Sequence, residues 1–357
     1  LAGMIHLGLG GMLWLILFMV LMAVATLAFT YLLLREHISR KWAFLLTTVI
    51  ALLYEMLHHS VAQLTDIPFM LLVTAGLWAV SRGLRTGSLA FECGLACLAA
   101  SAWVRVLGIP FAAGCGLAVV LSHARVSMPR RLVNVAVLGL LVMGTAFWLT
   151  NRDRQLQSGP EPPTSYAGTL APLAERSPLE SLLQPLGHAY EGGSRLADFL
   201  TGQELPGWVA LIAFTLPTAL GALVFARRRQ WPIVLSAACY CAAIISLEVP
   251  ITRYFLPIAP AIVLFYFYGV RVATYRVHER FPGALNLAVM LAIAFVLLNL
   301  PKDLRQAYRQ HRQDAYASAL EEDMVKVAEF LRQEDLDEAR FLMGRKSLIV
   351  ALLSGMD

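Results

Sequence analysis

Long apolar runs, broken by short clusters of charge, set the pattern of this chain. A helix that crosses the hydrocarbon core of a bilayer needs about 20 apolar residues. Ten runs qualify in whole or nearly: Met12–Leu34, Trp42–Met56, Ile67–Val80, Leu89–Trp103, Val106–Leu121, Leu132–Leu149, Leu205–Ala226, Ile233–Leu247, Phe255–Val270 and Leu285–Leu300. Several are near the lower length limit, and Trp42–Met56 is too short to cross without its flanks. The pattern predicts an all-α polytopic membrane domain over residues 1–300 with about ten transmembrane helices.

Charge placement tests that count. Cytoplasmic loops of membrane proteins are enriched in Lys and Arg. Every second loop here is basic: Arg35, Arg40 and Lys41; Arg82 and Arg85; Arg125, Arg130 and Arg131; Arg227, Arg228 and Arg229; Arg271, Arg276 and Arg280. The three short loops between them carry only Arg105 and Arg253. A wrong span count would scramble this alternation, so Leu1 and the tail after Leu300 are both expected outside. The long outer segment 150–204 is rich in Pro and Gly at each end. Within it, Leu179, Leu182, Leu183 and Leu186 recur at helical spacing, as in a helix lying at the membrane surface. The charged, periodic stretch Leu304–Leu331 and the short run Ala339–Met343 predict a helix and a strand at the start of an extracytoplasmic domain over 301–357.

Composition narrows the class further. Of 357 residues, 58% are hydrophobic and 15% charged, which excludes disorder and a disulfide-stapled scaffold. The net charge of +5 reflects topology and not a nucleic-acid surface, because no basic and aromatic residues interleave. The cysteines Cys93, Cys97, Cys115, Cys239 and Cys241 all sit inside apolar runs and read as small hydrophobes. No phosphate-cradling glycine loop or dinucleotide fingerprint occurs, which leaves ATP- or NAD-driven chemistry without support.

Charge at membrane depth is costly and tends to be functional. The ionisable residues of the short outer loops are therefore the candidates: Glu55, His58, His59, Asp66, Arg105, Glu248 and Arg253. Asp66, followed by Pro68, reads equally as a helix N-cap, shared with Thr65, and as a carboxylate that meets a sugar, an amine or a metal. Arg105 and Arg253 break the charge rule. Each reads as a snorkelling side chain or as a planar fork of donors for phosphate oxygens. Glu248 and Arg253 are close enough in sequence to pair, and Tyr254 can donate a hydrogen bond or anchor at the interface. Glu55, His58 and His59 share one helical face; a polar interfacial cluster is the plainer reading, a divalent metal site the alternative. No cofactor follows with certainty.

Three segments, in order and on one side, carry a resemblance: Leu64-Thr-Asp-Ile-Pro68, Trp103-Val-Arg-Val-Leu-Gly108 and Thr252-Arg-Tyr-Phe-Leu-Pro257. They resemble the GT-C fold glycosyltransferases that use polyprenyl-phosphate sugars. The bacterial family-39-like enzymes, including lipid A aminoarabinose transferases, are nearer, and protein O-mannosyltransferases more distant. Val327-Ala-Glu-Phe-Leu-Arg332 and Ala339-Arg-Phe-Leu342 are similar to the start of that family's soluble outer domain. The resemblance implies a multi-pass protein of the bacterial inner membrane whose active side and tail are extracytoplasmic. It implies sugar transfer from a polyprenyl-phosphate donor to a hydroxyl of a lipid, glycan or protein. Asp66 corresponds to the family's second acidic position, and Arg105 and Arg253 are the cations at hand for the donor phosphate. The family's main catalytic Asp lies in its first outer loop, but Leu1–Gly11 holds no acidic residue and the first one, Glu36, sits in a basic loop. The chain is thus expected to be a fragment, truncated at both ends. A lipid or glycan transporter (or flippase) and a non-catalytic membrane scaffold are the competing classes. A transporter would place ionisable groups at mid-membrane on broken helices.

Overall fold

A computed structural model describes residues 12–53, 55–57, 65–122, 125–156, 195–200, 207–246 and 252–275. The chain divides into two units at Leu300 and Pro301, and every described residue belongs to the first. The tenth apolar run, the surface helix expected around Leu179–Leu186, and the helix and strand expected after Leu300 lie outside the described residues.

The described residues form helices and no strand. In order they are α1 (Met12–Arg35), α2 (Arg40–Leu52), α3 (Asp66–Thr86), α4 (Ala90–Val104), α5 (Gly108–Leu121) and α6 (Met128–Leu156). Helix α7 starts as Gly207–Ala210, passes one π-helical turn at Leu211–Thr215 and continues as Leu216–Arg227. Helix α8 (Trp231–Ser246) follows, then a 3-10 helix (Thr252–Ile258) that feeds α9 (Ala259–Ala273). Pro257 lies within the tighter 3-10 stretch, and Pro260 near the start of α9, where an unbonded N–H is expected. Nine apolar runs thus find a helix. The second is cut short: α2 stops at Leu52, where Leu53 turns to extended backbone (φ −61, ψ 137) ahead of Met56.

Among the described residues, five helices are long and apolar enough to cross a membrane: Leu17–Arg35, Asp66–Thr86, Met128–Trp148, Trp208–Arg227 and Tyr254–Ala273. Ala90–Val104, Gly108–Leu121 and Trp231–Ile244 are apolar but shorter. Leu21, Leu140, Met143, Phe147, Trp208 and Ile212 are exposed on α1, α6 and α7. Exposure of such apolar faces to water would cost about 25 cal/mol per Å². A lipid environment removes that cost, and the chain is read as an all-α, multi-pass membrane protein.

Lipid gives no hydrophobic push between helices, so packing falls to close backbone approach at small residues. Helices α3 and α4 meet along such a seam. A Cβ on Gly94 would lie 2.6 Å from the backbone nitrogen of Val80, and one on Gly83 would collide with the backbone of Phe91. A second seam joins α7 to α9, where Gly221 lies against the Phe265 carbonyl and Gly269 against the Pro217 carbonyl. A third joins α5 to α8, with Gly114 against the backbone of Leu235.

The basic loops converge on one end of this bundle. Arg85 and Arg82 both pair with Glu36, which joins the end of α3 to the end of α1. Tyr268 of α9 donates its hydroxyl to the His37 carbonyl (2.6 Å), and Arg228 lies over the Tyr268 ring (5.0 Å to its centre). Arg130 bonds Glu92 (2.7 Å), and Arg131 donates to the Val119 and Ser122 carbonyls at the end of α5. The starts of α3 and α5 and the 3-10 helix belong to the opposite end.

Candidate functional site

Asp66 occupies the first turn of α3 and its side chain is almost fully buried, 2% exposed. The positive end of the helix dipole favours a carboxylate there. The N-cap is Thr65, whose side chain makes no capping hydrogen bond, so the capping explanation of this Thr-Asp pair is not realised. The Asp66 carboxylate instead takes a charged partner: Arg105 Nη1 donates to its Oδ1.

Arg105 ends α4. Its backbone is extended (φ −148, ψ 138), and its N–H returns to the Ser101 carbonyl at 3.0 Å. Helix α5 starts at Gly108, whose N–H binds the Arg105 carbonyl at 2.8 Å. The turn is this tight because Gly108 has no side chain; a Cβ there would lie 2.5 Å from the Ala102 nitrogen. Arg105 is thus carried by a three-residue link, and it points inward, with only 14% of its side chain exposed. The snorkelling alternative for Arg105 is not what the structure adopts.

Tyr254, from the 3-10 helix, forms the third part. Its ring centre lies 5.3 Å from the Arg105 guanidinium carbon, in reach of a cation–π contact. Its carbonyl accepts the hydroxyl of Tyr240 at 2.9 Å. Tyr240 is completely buried on α8, between the rings of Phe111 (5.2 Å) and Phe69 (6.2 Å). It links α3, α5 and α8 to the segment that carries Tyr254. Phe199, in the helical stretch 195–200, packs on Phe255 (5.9 Å) and ties the end of the long outer segment to the same 3-10 helix.

Three candidates named from sequence, Asp66, Arg105 and Tyr254, therefore meet at one site although residues 66, 105 and 254 are far apart in the chain. Glu55 is half-buried in the short helical stretch 55–57. His58, His59 and Glu248 lie outside the described residues, as does the side chain of Arg253, whose backbone belongs to the 3-10 helix. The suggested Glu248–Arg253 pair and the Glu55, His58 and His59 face are accordingly not described. Among the described residues, no group of three His, Cys, Asp or Glu side chains is arranged to hold a metal ion. The five cysteines are free thiols.

Tyr240 is the residue that sequence reasoning missed. Its signal was present: a tyrosine in the middle of an apolar span, between Cys239 and Cys241, must find a partner for its hydroxyl. Nothing in the sequence said that the partner would be a carbonyl beside the site.

The arrangement offers a carboxylate, a guanidinium with further N–H donors, and an aromatic face, together between helices at one end of an apolar bundle. That set can hold an anionic group and accept a proton next to it. No protein family, curated protein or solved structure matches the chain.

Proposed function

We propose that this chain is a membrane glycosyltransferase of the GT-C type, acting at the extracytoplasmic face of the bacterial inner membrane. It would move a sugar from a polyprenyl-phosphate donor to a hydroxyl of a lipid, glycan or protein. One observation supports this above the others: the buried Asp66–Arg105 pair, backed by Tyr254, at the end of the bundle away from the basic loops. Under the positive-inside rule those loops face the cytoplasm, and the pair then faces out. The ten-span topology, the interfacial helix within 150–204 and the outer domain from 301 belong to this same proposal.

The chemistry is direct. Arg105, with Arg253 in support, holds the donor phosphate through charge-assisted hydrogen bonds. Asp66 accepts the proton of the acceptor hydroxyl as its oxygen bonds the anomeric carbon. The bond from that carbon to the phosphate oxygen breaks, and the phosphate leaves with its electron pair beside the guanidinium. Were a divalent metal needed, Glu55, His58 and His59 would be the residues to hold it, and its charge would favour departure of the phosphate. The donor tail lies along the apolar helix faces. A transporter is less well supported, because the ion pairs of the described residues sit at the two ends of the bundle and not at its middle.

The test is sugar transfer by membranes that express the protein. Asp66→Asn and Arg105→Ala are expected to lower transfer about 100-fold or more while the protein still inserts. Unchanged transfer by both variants would sink the site assignment.

A further inference from the structure

We propose that Asp66 and Arg105 form an exchange latch: a phosphate group enters by taking the place of the Asp66 carboxylate on Arg105, so that ligand entry and release of Asp66 are one event. This rests on the reading of Arg105 as the phosphate-holding residue.

The argument starts from charge. The two side chains are 2% and 14% exposed, and each neutralises the other. A phosphate added to Arg105 with Asp66 still bound would set two anions on one cation away from water, and like charges repel strongly there. Binding of the phosphate at Arg105 and the existing pair therefore compete. The same carboxylate that the transfer reaction needs as a base is held while it is paired. Exchange solves both problems at once.

The surroundings allow the exchange. Asp66 sits in the first turn of α3, so the helix dipole still favours its charge after it leaves the guanidinium. Helix α5 begins three residues after Arg105, and its N-cap, Leu107, supplies no side-chain hydrogen bond; nor does Thr65 at the start of α3. The start of α3 thus sets the positive end of a helix dipole beside the pair, where an incoming anion profits from it; at α5 the Gly108 and Ile109 N–H groups are already taken by the Arg105 and Val106 carbonyls. Arg105 is not locked inside a helix, since it occupies the extended residue between α4 and α5. The Tyr254 ring, fixed through Tyr240, backs the guanidinium whichever anion it holds.

The latch predicts an unusual sign. Removal of the carboxylate should strengthen phosphate binding. The whole chain is placed in nanodiscs of phosphatidylcholine, and affinity is measured for dodecyl phosphate and for inorganic phosphate. Asp66→Asn is expected to bind phosphate about tenfold more tightly than the wild type, because no internal competitor must be displaced. Arg105→Gln is expected to lose that binding. Equal or weaker binding by Asp66→Asn overturns the latch. A gain seen with dodecyl phosphate alone marks a lipid-borne phosphate, and an equal gain with both probes marks a free one; either upholds the exchange.

A second readout needs no variant. Carbodiimide coupling of an amine to Asp66 in the wild-type chain, read by peptide mass mapping, is expected to rise when dodecyl phosphate is added. No change, or protection, counts against the latch. Neither readout depends on sugar transfer. Tighter binding by Asp66→Asn, together with a wild-type protein that transfers no sugar, keeps the latch and removes the transferase reading. Lost transfer without tighter binding removes the latch alone.

Discussion

The two ends of the bundle treat charge in opposite ways. At the basic end, Arg82 and Arg85 share Glu36, and Arg130 holds Glu92, with arginine side chains 52%, 45% and 40% exposed. These pairs are wet and partly redundant. At the other end the pair that the described residues form, Asp66–Arg105, is 2% and 14% exposed. Exposed pairs of the first sort contribute about 0–1 kcal/mol. A buried pair is seldom a net gain over apolar packing, but loss of one partner costs about 3–5 kcal/mol. The basic end therefore reads as orientation and loop docking, where charge is cheap. The Asp66 end carries an expense that packing does not require, and function is the reason we assign to it.

Four sets of changes break or sharpen this contrast. The largest effect on folding is expected when Asp66 or Arg105 is changed singly, at about 3–5 kcal/mol, and partial recovery is expected in the double variant Asp66→Asn with Arg105→Gln. Thermal unfolding in detergent, run as a double-mutant cycle, measures it; independent effects would mean that the pair is not a unit. Next come the close helix seams. Gly221→Val and Gly269→Val insert bulk against a backbone carbonyl on the facing helix, and a loss of about 1–3 kcal/mol or more is expected. These variants lie away from Asp66, so any folded remainder should keep its phosphate affinity.

Tyr240→Phe removes only the hydrogen bond to the Tyr254 carbonyl. It is expected to cost about 1 kcal/mol of stability, and to loosen the Arg105 backing enough to weaken phosphate binding severalfold. The smallest effect is expected at the basic end, where Glu36→Gln should cost less than about 1 kcal/mol and leave phosphate binding unchanged.

That end nonetheless contains a buried histidine that makes stability depend on pH. Burial, aided by the charges of Arg85 and Arg228 and opposed by Glu36, lowers the pKa of His37 from 6.5 to about 4. Above 6.5 the imidazole is neutral in folded and unfolded chains alike. Between 6.5 and 4 the unfolded chain takes up a proton that the folded chain resists, so stability falls as pH falls through that window. Thermal melts across it should show the loss, and His37→Gln should flatten it.

Much of this architecture was legible in the sequence. Lipid demands helices and long apolar runs, and hydropathy reads both directly. The alternation of arginine clusters anticipated which loops share an end, and the contacts of Glu36, His37 and Arg228 agree with that grouping. Apolar content alone did not reveal where a run would break. Leu53 leaves the helix inside an unbroken Ala-Leu-Leu stretch, for which no local residue gives a reason. The candidate site was legible as a set of residues but not as a geometry. Asp66 and Arg105 stood out because charge is rare in this chain, but their pairing depends on how α3 meets the α4–α5 turn. That junction is fixed by Gly108 and by the α3–α4 glycine seam, which act through space and leave only single glycines in the sequence. Tyr240 was hidden for the same reason.

The most direct measurement sets the two ends against each other. Sugar transfer from a polyprenyl-phosphate donor is followed in proteoliposomes with Asp66→Asn and Glu36→Gln side by side, at matched insertion. Loss of about 100-fold or more in the first and near wild-type transfer in the second is the expected result. Equal activity in both, or the larger loss in Glu36→Gln, would contradict the placement of function at the buried pair.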